Sequence, residues 1–260
     1  MNHIPAGLQR DTDLAYGPDP AHRLDLYRPP TARSAPLLFF VHGGGWARGD
    51  KAAAAVVGHK VAHWTARGYV VVSVNYRLLP QARPLEQVDD VARALAWVQQ
   101  AAPGWGADPA ACLLMGHSAG AHLLALMLAD PAIGARAGAR PGRGVVVLDT
   151  AAFDLVALME GPHLPLHDQA WGDDPAVWRA GSPVHRLQGR LDAPMLLVCS
   201  ALRPRVLRQA QQFAAIARSF GGDVRVIAVD LGHRELNAGL GEDGPYTAAV
   251  DEFMQSLGLP

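Results

Sequence analysis

The segment Gly116-His117-Ser118-Ala119-Gly120 gives the clearest indication of the fold, because it follows the apolar run Ala111–Met115 and opens a helical pattern. A serine between a buried strand and a helix sits on a sharp turn, where small residues two positions before and after it keep the backbones from colliding. Such a turn raises the hydroxyl clear of the C-terminal edge of a sheet. Ser118 is therefore the candidate nucleophile, whereas we expect its neighbour His117 to pack or to hydrogen-bond.

The rest of the chain alternates apolar runs with helical patterns. Continuous apolar runs predict strands that are covered on both faces, as in a parallel sheet. The predicted strands are Leu37–Val41, Tyr69–Val74, Ala111–Met115, Gly144–Leu148, Met195–Cys199 and Val224–Val229. The predicted helices are Lys51–Ala66, Leu85–Gln100, Ala119–Ala129, Val206–Phe220 and Tyr246–Leu257, and His22–Tyr27 reads as an antiparallel edge strand. This alternation predicts an α/β fold, a three-layer sandwich with a mostly parallel central sheet.

The chain length favours a single domain. It has 260 residues, half of them hydrophobic, and α/β folds of ~250 residues occur as one unit. We therefore predict one domain over residues 1–260. The interval 150–193 has several prolines and little periodicity, and a stretch that long in a compact domain usually carries function. It predicts a pocket wall or a small lid.

Composition excludes several classes of partner. The 23 Lys and Arg residues against 24 Asp and Glu leave a formal net charge of −1, so no basic face for nucleic acid is expected. No apolar run reaches the ~18 residues of a membrane span, and residues 1–17 show no leader pattern. Cys112 and Cys199 lie in apolar runs and read as buried free thiols. We expect a cytoplasmic protein with a small-molecule partner, and the oligomeric state stays open.

A second motif, His42-Gly43-Gly44-Gly45-Trp46, follows directly on the predicted strand Leu37–Val41. Consecutive glycines let main-chain N–H groups turn toward a ligand, and acyl-transfer enzymes need such donors where a carbonyl oxygen becomes negative. A phosphate-binding loop is the competing use of glycines. The stretch has neither the Gly-Lys-Ser/Thr ending nor the GxGxxG spacing of such loops.

With both motifs the sequence resembles the α/β-hydrolase superfamily and, within it, the HGG-motif esterases. That group includes hormone-sensitive-lipase-like carboxylesterases and kynurenine formamidases. The blocks that carry the resemblance are Tyr16-Gly17, Leu24–Tyr27, His42–Trp46, Asn75–Leu78, Asp89–Trp97 and Gly116–Leu123. The resemblance implies an oxyanion hole made by the backbone N–H groups of Gly43, Gly44, Gly45 and Ala119. It gives Arg77 and Asp90 structural roles.

The candidate base is His233. The order Ser, then Asp or Glu, then His places the base after the last strand of this fold, and only His233 lies there. A loop histidine at that edge can reach Ser118 and take its proton. No recognisable metal-ligand spacing occurs among the His, Cys and carboxylate residues, so no metal is expected.

The acid of the triad departs from the family pattern. It normally follows the strand that corresponds to Met195–Cys199, but no Asp or Glu occurs from Ser200 to Gly222. The preceding predicted strand, Gly144–Leu148, leads straight into Asp149, which is our first choice, although Asp149 could equally form a turn or cap a helix. Asp154 and Asp230 are weaker alternatives. The remaining possibility is an incomplete triad.

Together these features predict a serine hydrolase that cleaves carboxylic esters of small to medium size. Ser118, His233 and Asp149 would form the triad, the reaction would pass through an acyl-enzyme, and no cofactor would be needed. One alternative is an arylformamidase acting on N-formylkynurenine, an amide. The other is a hydrolase-fold binding protein without turnover, which the missing acid suggests.

Overall fold

One eight-stranded sheet forms the centre of the molecule in the computed structural model, which describes residues 7–260. Its strands are β1 (Gln9–Ala15), β2 (Arg23–Arg28), β3 (Ala35–Val41), β4 (Val70–Val74), β5 (Ala107–His117), β6 (Gly144–Leu148), β7 (Met195–Ser200) and β8 (Val224–Val229). They lie in the order β1-β2-β4-β3-β5-β6-β7-β8. Two predictions, the single domain over residues 1–260 and the absence of a leader pattern in residues 1–17, include residues 1–6, which lie outside the described residues.

Helices cover both faces of this sheet. They are α1 (Ala54–Ala66), α2 (Pro84–Ala101), α3 (Ala119–Ala129), α4 (Pro131–Ala137), α5 (Leu155–Met159), α6 (Pro165–Trp171), α7 (Pro175–Gly181), α8 (Pro183–Arg186), α9 (Pro204–Ser219), α10 (His233–Gly239) and α11 (Pro245–Ser256). One apolar cluster joins a face of the sheet to α2, α3 and α9, and a second joins the other face to α1, α10 and α11. The predicted three-layer sandwich is confirmed.

The burial of β3 shows why its apolar run is continuous. Leu37, Phe39 and Val41 belong to the first cluster, whereas Leu38 and Phe40 belong to the second. Successive side chains of a strand point to opposite faces, so a strand covered on both faces needs apolar residues at every position. All pairs from β4 to β8 in the sheet order are parallel.

The edge of the sheet differs from the prediction. The stretch predicted as an edge strand is β2, which is antiparallel as expected but lies inside the sheet, between β1 and β4. The edge strand on this side of the sheet is β1, whose sequence QRDTDLA is mostly polar and whose residues are largely exposed. A polar strand at an edge has no apolar periodicity to detect, because neither of its faces is buried.

The register aligns the C-terminal ends of the parallel strands. Val41 of β3 pairs with Gly116 of β5, and His117 of β5 pairs with Leu148 of β6. Leu148 in turn pairs with Val198 of β7, close to the point where β8 also ends. The loops that follow these strands therefore meet at one edge, where ligands bind in open α/β sheets.

The interval 150–193 folds into the four short helices α5 to α8. Two of its three aromatic residues, Phe153 and Trp171, are almost wholly buried in the first apolar cluster. Other residues of the interval lie nearer the C-terminal edge of the sheet, and the cavity there is described below. Within residues 7–260, no helix is long and apolar enough to cross a membrane, and both cysteines are free and buried.

Candidate active site

Ser118 lies on a strained turn between β5 and α3. Its φ is 54° and its ψ is −115°, a region that residues other than glycine rarely adopt. A Cβ on Gly120 would lie 2.3 Å from the carbonyl oxygen of Val41, and one on Gly116 would lie 2.8 Å from the backbone of Gly120. The two glycines of the motif are therefore required by the close approach of α3 to the neighbouring strands.

His233 faces the Ser118 hydroxyl. It is the first residue of α10, and its Nε2 lies 3.1 Å from Ser118 Oγ. The ring also packs on His117, with 4.5 Å between ring centroids. Burial, together with the neighbouring His233, lowers the pKa of His117 to about 3. His117 is therefore neutral, and its Nε2 can donate to the carbonyl oxygen of His233, 3.0 Å away.

Asp149 lies on the other side of the His233 ring. It follows β6, and its Oδ2 is 2.6 Å from His233 Nδ1. Its backbone is also strained, with φ at 52°, and the backbone N–H of Ser200 donates to its Oδ1 at 2.9 Å. Burial alone would raise the pKa of Asp149, but the hydrogen bonds from His233 and Ser200 and the nearby Arg203 lower it to about 2. A carboxylate therefore faces His233 at any ordinary pH.

The two weaker candidates for the acid lie elsewhere. Asp154 is the N-cap of α5, where its Oδ1 accepts a hydrogen bond from Ala157 N at 3.0 Å. Asp230 is exposed in the loop after β8. Of the three carboxylates considered from the sequence, the structure brings only Asp149 to His233.

The glycine loop after β3 lies against the nucleophile turn. A Cβ on Gly43 would lie 2.9 Å from Ser118 Cβ, and Gly44 and Gly45 have φ values of 130° and 62°. Tyr76 holds the loop by donating its hydroxyl to the carbonyl oxygen of His42 at 2.9 Å. In the described part of the chain, the amides of residues 43–45 and 119 donate to no loop or side-chain acceptor. They are free to donate to a ligand.

A cavity of about 450 Å³ opens over these groups. The predicted nucleophile, base, acid and oxyanion-hole residues all line it. Its apolar walls include Val56, Leu164 and Leu166, so part of the interval 150–193 borders the cavity. This volume falls within the usual range of ~300–1,000 Å³ for small-molecule sites. Among residues 7–260, no three His, Cys, Asp or Glu side chains converge to hold a metal ion.

Reasoning from the sequence missed the role of Arg203, the N-cap residue of α9. Its guanidinium forms an ion pair with Asp149 and lies beside the His233 ring. The available signal was the loop after β7 itself, where an arginine stands in a stretch expected to supply a carboxylate.

A buried lysine supports the helix that carries His233. Lys60 of α1 donates from its Nζ to the carbonyl oxygens of Asn237, in α10, and Ala55, at 3.2 Å for the latter. Neither partner is a carboxylate, and burial lowers the pKa of Lys60 to about 7. A protonated Lys60 at neutral pH therefore costs the fold free energy.

We expect this lysine to make the free energy of unfolding depend on pH. Between pH 7 and the ordinary lysine pKa of 10.5, the unfolded chain holds a proton that folded Lys60 has released, so stability rises with pH in this window. From pH 7 to pH 9 the wild type should gain about 2 kcal/mol relative to Lys60→Met. Urea unfolding of both proteins at the two pH values measures this difference.

Lys51, the only other lysine, is the matched control. Burial opposes its charge, but its contacts with Asp13 and Asp25 raise its pKa, so it stays charged from pH 7 to pH 9. Lys51→Met should lower stability equally at both pH values. The same pH dependence for Lys60→Met and the wild type would show that Lys60 does not titrate in this window.

Comparisons with known proteins find relatives that are named as esterases and methylesterases. The family model BD-FAE matches residues 24–132. A probable isoprenylcysteine alpha-carbonyl methylesterase of Oryza sativa subsp. japonica is 38% identical over 120 residues, which are 46% of this chain and 28% of that protein. Esterase LipC of Mycobacterium tuberculosis is 30% identical over 270 residues, 94% of this chain and 64% of LipC. The chain thus spans less than two thirds of these relatives.

A solved structure extends the likeness to the whole fold. Esterase B from Lactobacillus Rhamnosis (HN001) matches with a TM-score of 0.78 and 21% identity, covering 99% of this chain and 87% of that one. The chain has the α/β-hydrolase fold. Its sequence similarity to named esterases confirms the resemblance to the HGG-motif esterase group that its motifs indicated.

Proposed function

We propose that this protein is a serine hydrolase that cleaves carboxylic esters of small to medium size. The observation that carries the proposal is the chain of contacts from Ser118 Oγ through the His233 ring to Asp149. A neutral imidazole held by a carboxylate at Nδ1 presents an unprotonated Nε2 to a hydroxyl. This is the arrangement that activates a serine as a nucleophile.

In the proposed reaction, Ser118 Oγ attacks the ester carbonyl while His233 Nε2 takes its proton. The amides of Gly43, Gly44, Gly45 and Ala119 then donate to the oxyanion of the tetrahedral intermediate. His233 gives its proton to the leaving alcohol, which leaves Ser118 acylated. Water, activated by the same histidine, hydrolyses this acyl-enzyme and frees the serine.

The relatives support this class of substrate. The rice protein is named a methylesterase and LipC an esterase, so methyl esters and other short esters are the first substrates to test. The binding-protein alternative was motivated by the missing acid, and a carboxylate now stands beside His233. The cytoplasmic location, the absence of a nucleic-acid partner and the single-domain organisation stay predictions from the sequence.

Parallel assays test the proposal. We expect turnover of p-nitrophenyl acetate and butyrate, with a kcat/KM at least 100-fold above that for N-formylkynurenine. Cleavage of N-formylkynurenine without ester hydrolysis would instead identify an arylformamidase. Folded protein that turns over neither substrate and forms no adduct with an organophosphonate would support the binding-protein alternative.

A further inference from the structure

Arg203 contacts both the predicted acid and the predicted base through a single nitrogen. Its NH1 donates to Asp149 Oδ2 and lies 3.4 Å from the Asp149 carbonyl oxygen and 2.7 Å from His233 Nδ1. The Asp149 side chain is fully buried, whereas that of Arg203 is 34% exposed. The guanidinium therefore reaches from the cavity mouth to a buried carboxylate.

The contacts determine which ring nitrogen of His233 carries a proton. A carboxylate oxygen 2.6 Å from Nδ1 requires a donor, so Nδ1 carries the proton. Arg203 NH1 is also a donor, and it cannot form a hydrogen bond with a protonated Nδ1. The two N–H groups thus converge on one acceptor, Asp149 Oδ2, and their 2.7 Å approach is a contact between donors that share it.

This sharing has opposite consequences in the two charge states of His233. While the imidazole is neutral, the guanidinium balances the charge of a carboxylate that would otherwise be buried unpaired. Once the imidazole takes a proton, two cations compete for the same oxygen at close range. A like charge at this distance opposes the second positive charge.

We propose that Arg203 is a positioning residue of this site: it holds the Asp149 carboxylate toward His233 and, as a fixed cation, opposes protonation of the resting imidazole. This inference rests on the proposed serine-hydrolase function. It predicts that Arg203 extends activity to lower pH, because His233 acts as a base only while it is unprotonated.

Other titratable groups lie near Asp149 and His233, and a substitution at position 203 leaves them unchanged. His117 of β5 packs on the His233 ring, and the charge of Lys60 in α1 contributes to lowering the pKa of His117. Burial raises the pKa values of Cys199 in β7 and Tyr246 in α11, and the negative charge of Asp149 raises them further. Both therefore stay neutral in the range where the acid limb of activity is measured.

The test is the pH profile of kcat/KM for a neutral short ester. In Arg203→Met we expect the acid limb to move up by about one pH unit, equal to about 1.4 kcal/mol, because a like charge is removed from a partly exposed site. The plateau kcat should fall about tenfold, since Asp149 loses a donor that orients it, while KM changes less than threefold. Arg203→Lys keeps the cation and should leave the limb near its wild-type position.

Two further variants show whether the charge at position 203 itself sets the acid limb. Arg208→Met, at an exposed position of the same helix, should leave the profile unchanged. Arg203→Gln provides a second uncharged side chain in case the methionine variant does not fold. An unmoved acid limb in a folded, uncharged variant overturns the inference. A wild-type protein that does not hydrolyse esters would instead refute the proposed function.

Discussion

Replacing Asp149 by asparagine should lower kcat by about 10³- to 10⁴-fold with little loss of folded protein. The side chain keeps its shape, but its two ends now differ. Because Ser200 N–H donates to Oδ1, the amide oxygen will occupy that position and the NH₂ group will face His233 and Arg203. The NH₂ group would then face the N–H donors of His233 and Arg203. His233 would move its proton from Nδ1 to Nε2, and a protonated Nε2 can no longer accept a proton from Ser118. Steady-state kinetics with a p-nitrophenyl ester measures the loss.

The two other acidic candidates supply the controls for this variant. Asp154→Asn and Asp230→Asn should retain kcat within about threefold, because neither carboxylate contacts His233. Asparagine is also as good an N-cap as aspartate, so α5 should keep its start in Asp154→Asn. Near-normal turnover in folded Asp149→Asn would remove Asp149 from the mechanism.

Replacing Ser118 by alanine should lower kcat by about 10⁵- to 10⁶-fold and abolish labelling by an organophosphonate. No other hydroxyl is expected to replace Oγ, since His233 Nε2 is held toward position 118 by Asp149 on the far side of its ring. Mass spectrometry of the labelled wild type should locate the adduct on the peptide that contains Ser118.

Ser219, exposed at the end of α9, is the matched control for this variant. Ser219→Ala should retain full activity and full labelling. Residual turnover above about 1% in Ser118→Ala, or an adduct at another residue, would contradict the assignment of the nucleophile.

The parallel part of the fold was predictable because each strand has a local signature. Runs such as those of β3 and β6 have no polar residue at any position, which happens when both faces of a strand are covered. The polar strand β1 and the short helix α10 have no such pattern. Their positions depend on pairing with β2 and on packing against α1, which are contacts between distant parts of the chain.

The residues of the candidate site also differ in how far the sequence alone predicts them. The glycine motif around Ser118 and the glycine loop at Gly43–Gly45 can be recognised from neighbouring residues, because tight backbone approaches demand glycine locally. Fold order alone selected His233. For the acid, the sequence left Asp149, Asp154 and Asp230 open, since the spacing along the chain does not say which carboxylate turns toward the histidine.

Periodicity and local steric demands, both written in the amino-acid sequence, are enough to predict the class of fold, the strained serine turn and the glycine loop. Which groups meet at the histidine depends on the tertiary structure. Asp149 and His233 are 84 residues apart, and Arg203 lies 54 residues from Asp149. They come together because parallel strands in register end at one edge of the sheet, and that register forms by pairing between strands that are distant along the chain.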